Sequence, residues 1–189
     1  MFKIEKSVRR WRMEDDLFEN RIIFVSGPVD TELANHVIRG LLLLNARNSR
    51  DYIDIYINSP GGSVVDGLAI LDTMMCIEAP IRTVCLGQAT SMAAWILAAG
   101  TKGERYATPN ARIMLHQIAT GIEGDTAHIK SYVDHLNKLQ QLMIELMHQF
   151  SGQEKERIAR DIEVDFYLGA DEAREYGLID KILEPKKKY

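Results

Sequence analysis

The segment Gly87-Gln88-Ala89-Thr90-Ser91-Met92-Ala93 holds the first residue equipped for covalent chemistry. Ser91 follows a β-rich run and a tight turn, and it opens a stretch of small, helix-compatible residues. That placement exposes the hydroxyl and aims the unpaired N–H groups of a helix start into the same space, as acyl transfer requires. It suits a helix N-cap equally well, since serine is a favoured capping residue. The segment alone leaves both roles open.

A nucleophilic serine needs a base, and the base needs an orienting group. Of the five histidines, His36 falls in the polar part of an early helix, and His128, His135 and His148 fall on one long helical pattern. His128 and His135 share a helix face two turns apart, but no third ligand stands at metal spacing, so no metal site is expected. His116 differs. It ends the apolar run Arg112-Ile113-Met114-Leu115 and precedes the irregular Gln117–Gly124, where a sheet edge could bring a general base to a serine. A hydrogen-bonded core histidine is the other reading. Among the carboxylates Asp161, Glu163 and Asp165, Asp165 directly precedes Phe166-Tyr167-Leu168 and is expected to be partly buried near the sheet. Asp161 and Glu163 are expected on a solvated face. Spacing by itself does not show that Ser91, His116 and Asp165 converge. Gly61-Gly62 follows another strand; such a pair permits close backbone approach and could supply an N–H to an oxyanion. Neither nucleotide-binding glycine pattern, G-x-x-x-x-G-K-[ST] nor G-x-G-x-x-G, is present.

These residues need a scaffold, and strand and helix patterns alternate along the chain. Arg21–Ser26 reads as a buried strand ending at Gly27-Pro28. Asp30 or Thr31 can cap a helix carrying Leu33, Val37, Ile38, Leu41 and Leu42. Tyr52–Asn58 alternates, with Ile53, Ile55 and Ile57 on one face. A helix with Val65, Leu68, Ala69 and Met75 follows. Ile81–Leu86 is a strand ending at Gly87, Ser91–Ala99 a helix ending at Gly100, and Tyr106–Ala107 and Arg112–His116 short strands. This succession predicts an α/β domain with helices on a mainly parallel sheet, whose sites form where strands hand over to helices. From Asp125 to Phe150 an apolar stripe, Ile129 through Val133, Leu136, Met143 and Met147, runs for about seven turns and can end at Gly152. So long a helix overhangs a small domain, and its stripe must meet the core or another subunit. A short strand, a short helix ending at Gly177 and a last strand complete the chain.

The chain has 189 residues, 46% of them hydrophobic and 26% charged, which suits one globular domain. A net charge of −4 argues against nucleic acid as a partner. The two cysteines, Cys76 and Cys85, lie in apolar stretches and are expected to be reduced and buried. No apolar run is long enough for a membrane span. The N-terminus lacks the apolar run of a secretory signal, and Glu14, Asp15 and Asp16 do not fit a transit peptide, so a cytoplasmic location is expected.

Three motifs in order, Tyr56-Ile57-Asn58-Ser59-Pro60-Gly61-Gly62-Ser63, Gly87-Gln88-Ala89-Thr90-Ser91-Met92-Ala93-Ala94 and Pro109-Asn110-Ala111-Arg112-Ile113-Met114-Leu115-His116-Gln117, closely resemble the proteolytic subunits of the Clp protease, the ClpP family. Asp165-Phe166-Tyr167-Leu168-Gly169-Ala170, Glu172-Ala173 and Tyr176-Gly177-Leu178-Ile179-Asp180 agree with it. The similarity runs without apparent gaps from about Arg21 to Leu183. It implies a ClpP/crotonase-like fold with a protruding handle helix over about residues 117–152 and an axial segment over about residues 1–20. It implies a serine endopeptidase with Ser91 as nucleophile, His116 as base, Asp165 as orienting carboxylate and the N–H groups of Gly62 and Met92 as oxyanion donors, with no metal or cofactor. It further implies two stacked seven-membered rings enclosing a chamber, fed with unfolded polypeptides by an AAA+ unfoldase. Tyr56 and Tyr106 match the family's ATPase-docking pocket, while Asp54 and Cys76 occupy positions that are often aromatic. Ala93 replaces the usual glycine after the nucleophile, Gln117–Gly124 departs from the usual Gln-Pro and glycine-rich strand, and the stretch before Glu14 lacks the usual pore-loop pattern. Two other readings stand beside this one. One is a weakly active or structural ring subunit paired with a ClpP paralogue. The other is a crotonase-like acyl-CoA enzyme, against which the triad and the long helix speak.

Overall fold

The computed structural model describes residues 16–186. The stretch before Glu14 and most of the axial segment therefore lie outside the described residues; residues 16–19 form a helical turn. Seven strands follow: β1 (Ile22–Ser26), β2 (Ile53–Ser59), β3 (Ile81–Thr90), β4 (Arg105–Ala107), β5 (Arg112–Leu115), β6 (Phe166–Leu168) and β7 (Lys181–Ile182). The helices are α1 (Thr31–Arg47), α2 (Val64–Cys76), α3 (Met92–Ala98), α4 (Thr126–Ser151), α5 (Lys155–Asp161) and α6 (Ala170–Tyr176). The strand order is β1-β2-β3-β4-β7, and β5 pairs with both β3 and β6. Every pair is parallel except β5 with β6.

Alternation in β2 works as the sequence predicts. Ile53, Ile55 and Ile57 are fully buried against the helices, while Asp54 and Tyr56 lie on the opposite face. Asp30 caps α1 by accepting from the Leu33 N–H at 2.9 Å. The helix faces are less well predicted. In α2 the buried residues are Gly67, Ile70, Leu71 and Met74, and Val65 and Met75 face solvent. In α1, Leu42 is exposed and Leu44 buried. Apolar residues surround both helices too broadly for composition to fix which side packs. Cys76, at the exposed end of α2, is likewise not buried; Cys85 is, and burial pushes its thiol up to about 12.

The longest strand corrects another expectation. β3 does not stop at Gly87 but continues to Thr90 by changing partner. Thr83–Cys85 pair with β4, and Gln88–Thr90 pair with β5. The chain then enters α3 through the single residue Ser91. All seven residues of α3 are buried, which its small side chains Ala93, Ala94 and Ala98 allow.

α4 is half docked. Asp125 caps it, accepting from the N–H groups of Ala127 and His128, and Gly152 ends it in the left-handed conformation at φ 78°. Its 26 residues span about 39 Å. Met143, Ile144, Leu146 and Met147 are buried, but no residue from 126 to 142 is. Ile129 and Val133 therefore present the first half of the stripe to solvent.

Arg105 joins these parts. Its Nε and Nη2 donate to Asp180, and its Nη1 donates to Ala98 O at the end of α3 and Phe150 O at the end of α4. The Asp180 carboxyl is penalised by burial, but bonds from Arg105 and two backbone N–H groups outweigh this and hold its pKa below 3.8. Removing one partner of a buried pair strands the other charge, so Asp180→Ala is expected to cost about 3 kcal/mol in urea unfolding. Because the folded-state pKa is depressed, this contribution is fully present above the unfolded value of about 4. The gap between wild type and variant should narrow as pH falls through the folded-state pKa.

Candidate active site

Ser91 is the bend between β3 and α3. Its φ of 53° and ψ of −132° place a β-carbon in a region that costs of order 1–3 kcal/mol, so surrounding contacts must hold it. Its N–H donates to Met114 O on β5 at 2.8 Å. Although it occupies the N-cap position, its side chain makes no capping bond. The hydroxyl instead lies 2.7 Å from His116 Nε2. Nε2 can accept the hydroxyl proton only in the tautomer that carries the other proton on Nδ1.

That Nδ1 lies 3.4 Å from Asp165 Oδ1. Sheet register brings the two together. Antiparallel pairing aligns Ile113 with Leu168, Met114 with Tyr167 and Leu115 with Phe166. One step further, His116 leaves β5 opposite Asp165. The Gln117 N–H, donating to Ile162 O at 2.8 Å, fastens the strand end there. The expectation that Asp165 is partly buried fails: its side chain is 53% exposed, against 28% for His116. It precedes the strand at the open end of the sheet rather than lying under it, and Tyr167 OH donates to its Oδ2 at 3.3 Å. Asp161, expected on a solvated face, is the more enclosed carboxylate. Tyr176 OH donates to it at 3.0 Å and Arg157 approaches it at 3.4 Å. Burial first, and then Asp161, raises the Tyr176 pKa well above its usual range.

Gly61 and Gly62 pass directly against the bend. Gly61 has φ +84°, and a β-carbon there would lie 2.5 Å from Thr90 O and 2.6 Å from Ser91 Cβ. Gly62 bridges to Val29, whose carbonyl fills the space a side chain would need. Only glycine permits this approach. Among the described residues the N–H groups of Gly62 and Met92 have no acceptor. Both residues line a cavity of about 250 Å³ shared with Ser91 and His116. Its walls are largely apolar, formed by Val64, Trp95, Met114 and Met143, with Gln117 and Gln140 among them. Trp95 ties the walls together, its indole N–H donating to Met143 O on α4 at 2.9 Å.

The remaining candidates separate. His36 is exposed, His128 Nδ1 lies 2.6 Å from Asp125, and His148 Nδ1 donates to Gln153 O. No cluster of three possible metal ligands occurs among the described residues. Asp54, Tyr56 and Tyr106 share the sheet face opposite the helices, where Phe24 stacks on Tyr56 at 5.6 Å. Asp54 pairs with Arg82 at 3.0 Å. Cys76 is the exposed last residue of α2. Residues 117–124 form no strand within the chain. Sequence reasoning missed Trp95, Gln140 and Arg105. None of these left a local signal: Arg105 follows Glu104 at the start of β4, in a charged stretch that reads as solvated.

Gly61→Ala should displace the bend by close to an ångström. The rate at which a fluorophosphonate labels Ser91 is then expected to fall about 100-fold, measured against wild type by mass spectrometry. The described fold, an α/β sheet with Ser91 at a strand-to-helix bend, accompanies a match to a protein-family model described as Clp protease over residues 5–186. With nearly the whole length matched, the chain belongs to the Clp protease family.

Proposed function

We propose that this chain is the proteolytic subunit of a self-compartmentalised Clp-type protease, a serine endopeptidase that cuts unfolded polypeptides into short peptides. The observation that carries this reading is the 2.7 Å contact between Ser91 Oγ and His116 Nε2, made by a serine that does not cap its helix. Family membership supports the serine-peptidase class.

In the proposed reaction, Oγ attacks the scissile carbonyl carbon as its proton passes to Nε2. Asp165 orients His116 through Nδ1–H and stabilises the imidazolium. The carbonyl oxygen gains negative charge between the free N–H groups of Gly62 and Met92. As the C–N bond breaks, Nε2–H protonates the leaving amine. Water, deprotonated by the same nitrogen, then releases the acyl group and restores Ser91. Every step uses groups of the chain itself. The 3.4 Å separation at Asp165 tightens in this scheme as positive charge develops on the ring.

Exposed apolar surfaces support the assembly in this reading. The undocked half of α4 serves as the handle by which two seven-membered rings stack. The Tyr56–Tyr106 sheet face receives an AAA+ unfoldase, with the Asp54–Arg82 pair making that face more polar than an aromatic one. No helix among the described residues is long and apolar enough to cross a membrane, and a cytoplasmic location is part of this reading. The exposed, distant Asp165 favours one second reading, a weakly active ring subunit that acts beside a ClpP paralogue.

Fluorophosphonate labelling separates the two. The assembled wild-type chain should be labelled at Ser91 and hydrolyse short peptides without ATP, with casein turnover only when an unfoldase is added. Ser91→Ala should abolish both activities, and Asp165→Asn should lower kcat by about 10²–10⁴-fold. An assembled but unlabelled wild type would support the weakly active subunit instead. Ile129→Glu combined with Val133→Glu should halve the sedimenting mass to single rings; an unchanged mass would contradict the handle role.

A further inference from the structure

The cavity beside Ser91 is apolar over most of its wall, yet Gln140 of α4 also lines it. Gln140 stands where α4 first meets the body, one turn before Met143, the helix's first buried residue. Its amide orientation is fixed by its partner. The Ile118 N–H donates to Gln140 Oε1 at 2.8 Å, so the oxygen faces the loop and Nε2 is left over. Among the described residues Nε2 has no acceptor. Gln117 shows the converse. Its Nε2 donates to Glu163 O at 3.1 Å, its Oε1 has no donor among the described residues, and the residue also lines the cavity. An apolar side chain that fills the cavity and expels its water leaves the Nε2 donor unpaired, which is costly; a side chain bringing an acceptor does not.

We infer that Gln140 is a specificity-determining residue. Through its free Nε2 the cavity takes, from the residue that supplies the scissile carbonyl, an unbranched side chain with an apolar stem and a hydrogen-bond acceptor at its tip. Glutamine meets both amides, accepting from Gln140 and donating to Gln117, and methionine meets Gln140 alone through a weaker acceptor. Sites that pair a polar group discriminate more sharply than sites that only match apolar volume. The inference rests on the peptidase reading above.

The test compares peptides that differ only at the residue before the cut: glutamine, norleucine and lysine. Gln140→Glu keeps an acceptor for the Ile118 N–H and replaces the donor by a carboxylate. In this variant the kcat/KM ratio of glutamine to norleucine should fall about tenfold, and that of lysine to norleucine should rise about tenfold. Gln140→Met, which removes the donor while keeping an unbranched side chain, should lower the first ratio similarly and carries the test if the glutamate variant does not fold. Ratios within about twofold of wild type, with Ser91 still labelled by fluorophosphonate, would overturn the inference and leave the peptidase reading intact. A wild type that is neither labelled nor able to cut any of the three peptides would overturn both.

Discussion

Arg105 is 3% exposed, and its guanidinium reaches the ends of two helices and the turn before β7 at once. Asp180 neutralises it from the turn before β7, while Ala98 O and Phe150 O bring the C-terminal ends of α3 and α4 to one cation. A positive charge at helix C-termini meets the negative ends of their dipoles, so the buried ion is compensated from several directions. Thr83 adds a hydroxyl bond to Leu97 O in the same turn. The geometry is restrictive because a planar guanidinium donates only in fixed directions. α3 cannot slide along its axis without breaking that set.

With its far end fixed, α3 determines where Ser91 sits. The strand before it is held by β5 through Thr90 and Met114, and the same Met114 accepts the Ser91 N–H. A residue with positive φ is thus clamped on both sides, with Gly61 packed beneath it. His116 lies two residues after Met114, just beyond the end of β5. One strand therefore supplies the clamp and leads directly into the imidazole that meets Ser91. The backbone strain at Ser91 directs its hydroxyl away from its own helix and toward the imidazole, which is why the two possible roles of this serine do not compete.

Two surfaces remain uncovered by the chain's own elements. One is the sheet face bearing Phe24, Tyr56 and Leu86; the other is the first half of α4. Members of the Clp protease family generally form rings and work with Clp ATPases, and such uncovered apolar surfaces are where contacts of this kind are made. The boundary between docked and free helix falls at Gln140 and Met143, both of which line the cavity. At that boundary the Trp95 indole N–H and the Ile118 N–H bond to Met143 O and Gln140 Oε1, which ties the root of the free half to the pocket wall.

The sequence by itself determined the order of every element from β1 on except α5 (Lys155–Asp161), which it missed, together with the alternation of β2, the long helix with its Asp125 and Gly152 ends, and the residue types of the site. These follow from local rules: period-two and helical spacing, capping chemistry and glycine's freedom. It did not determine which face of α2 packs, because Val65 and Met75 satisfy helical spacing as well as Ile70 and Met74 do. Nor did it show that β3 runs through Gly87, since continuation there depends on a partner strand more than twenty residues away. Asp165 and Asp161 exchanged their expected environments for the same reason. Burial of a carboxylate depends on what folds over it, here Tyr176 and Arg157 over Asp161 and solvent over Asp165. The meeting of Ser91, His116 and Asp165 was decided only by tertiary structure. It requires the parallel register of β3 with β5 and the antiparallel register of β5 with β6 to hold at once, and no local spacing encodes the two together.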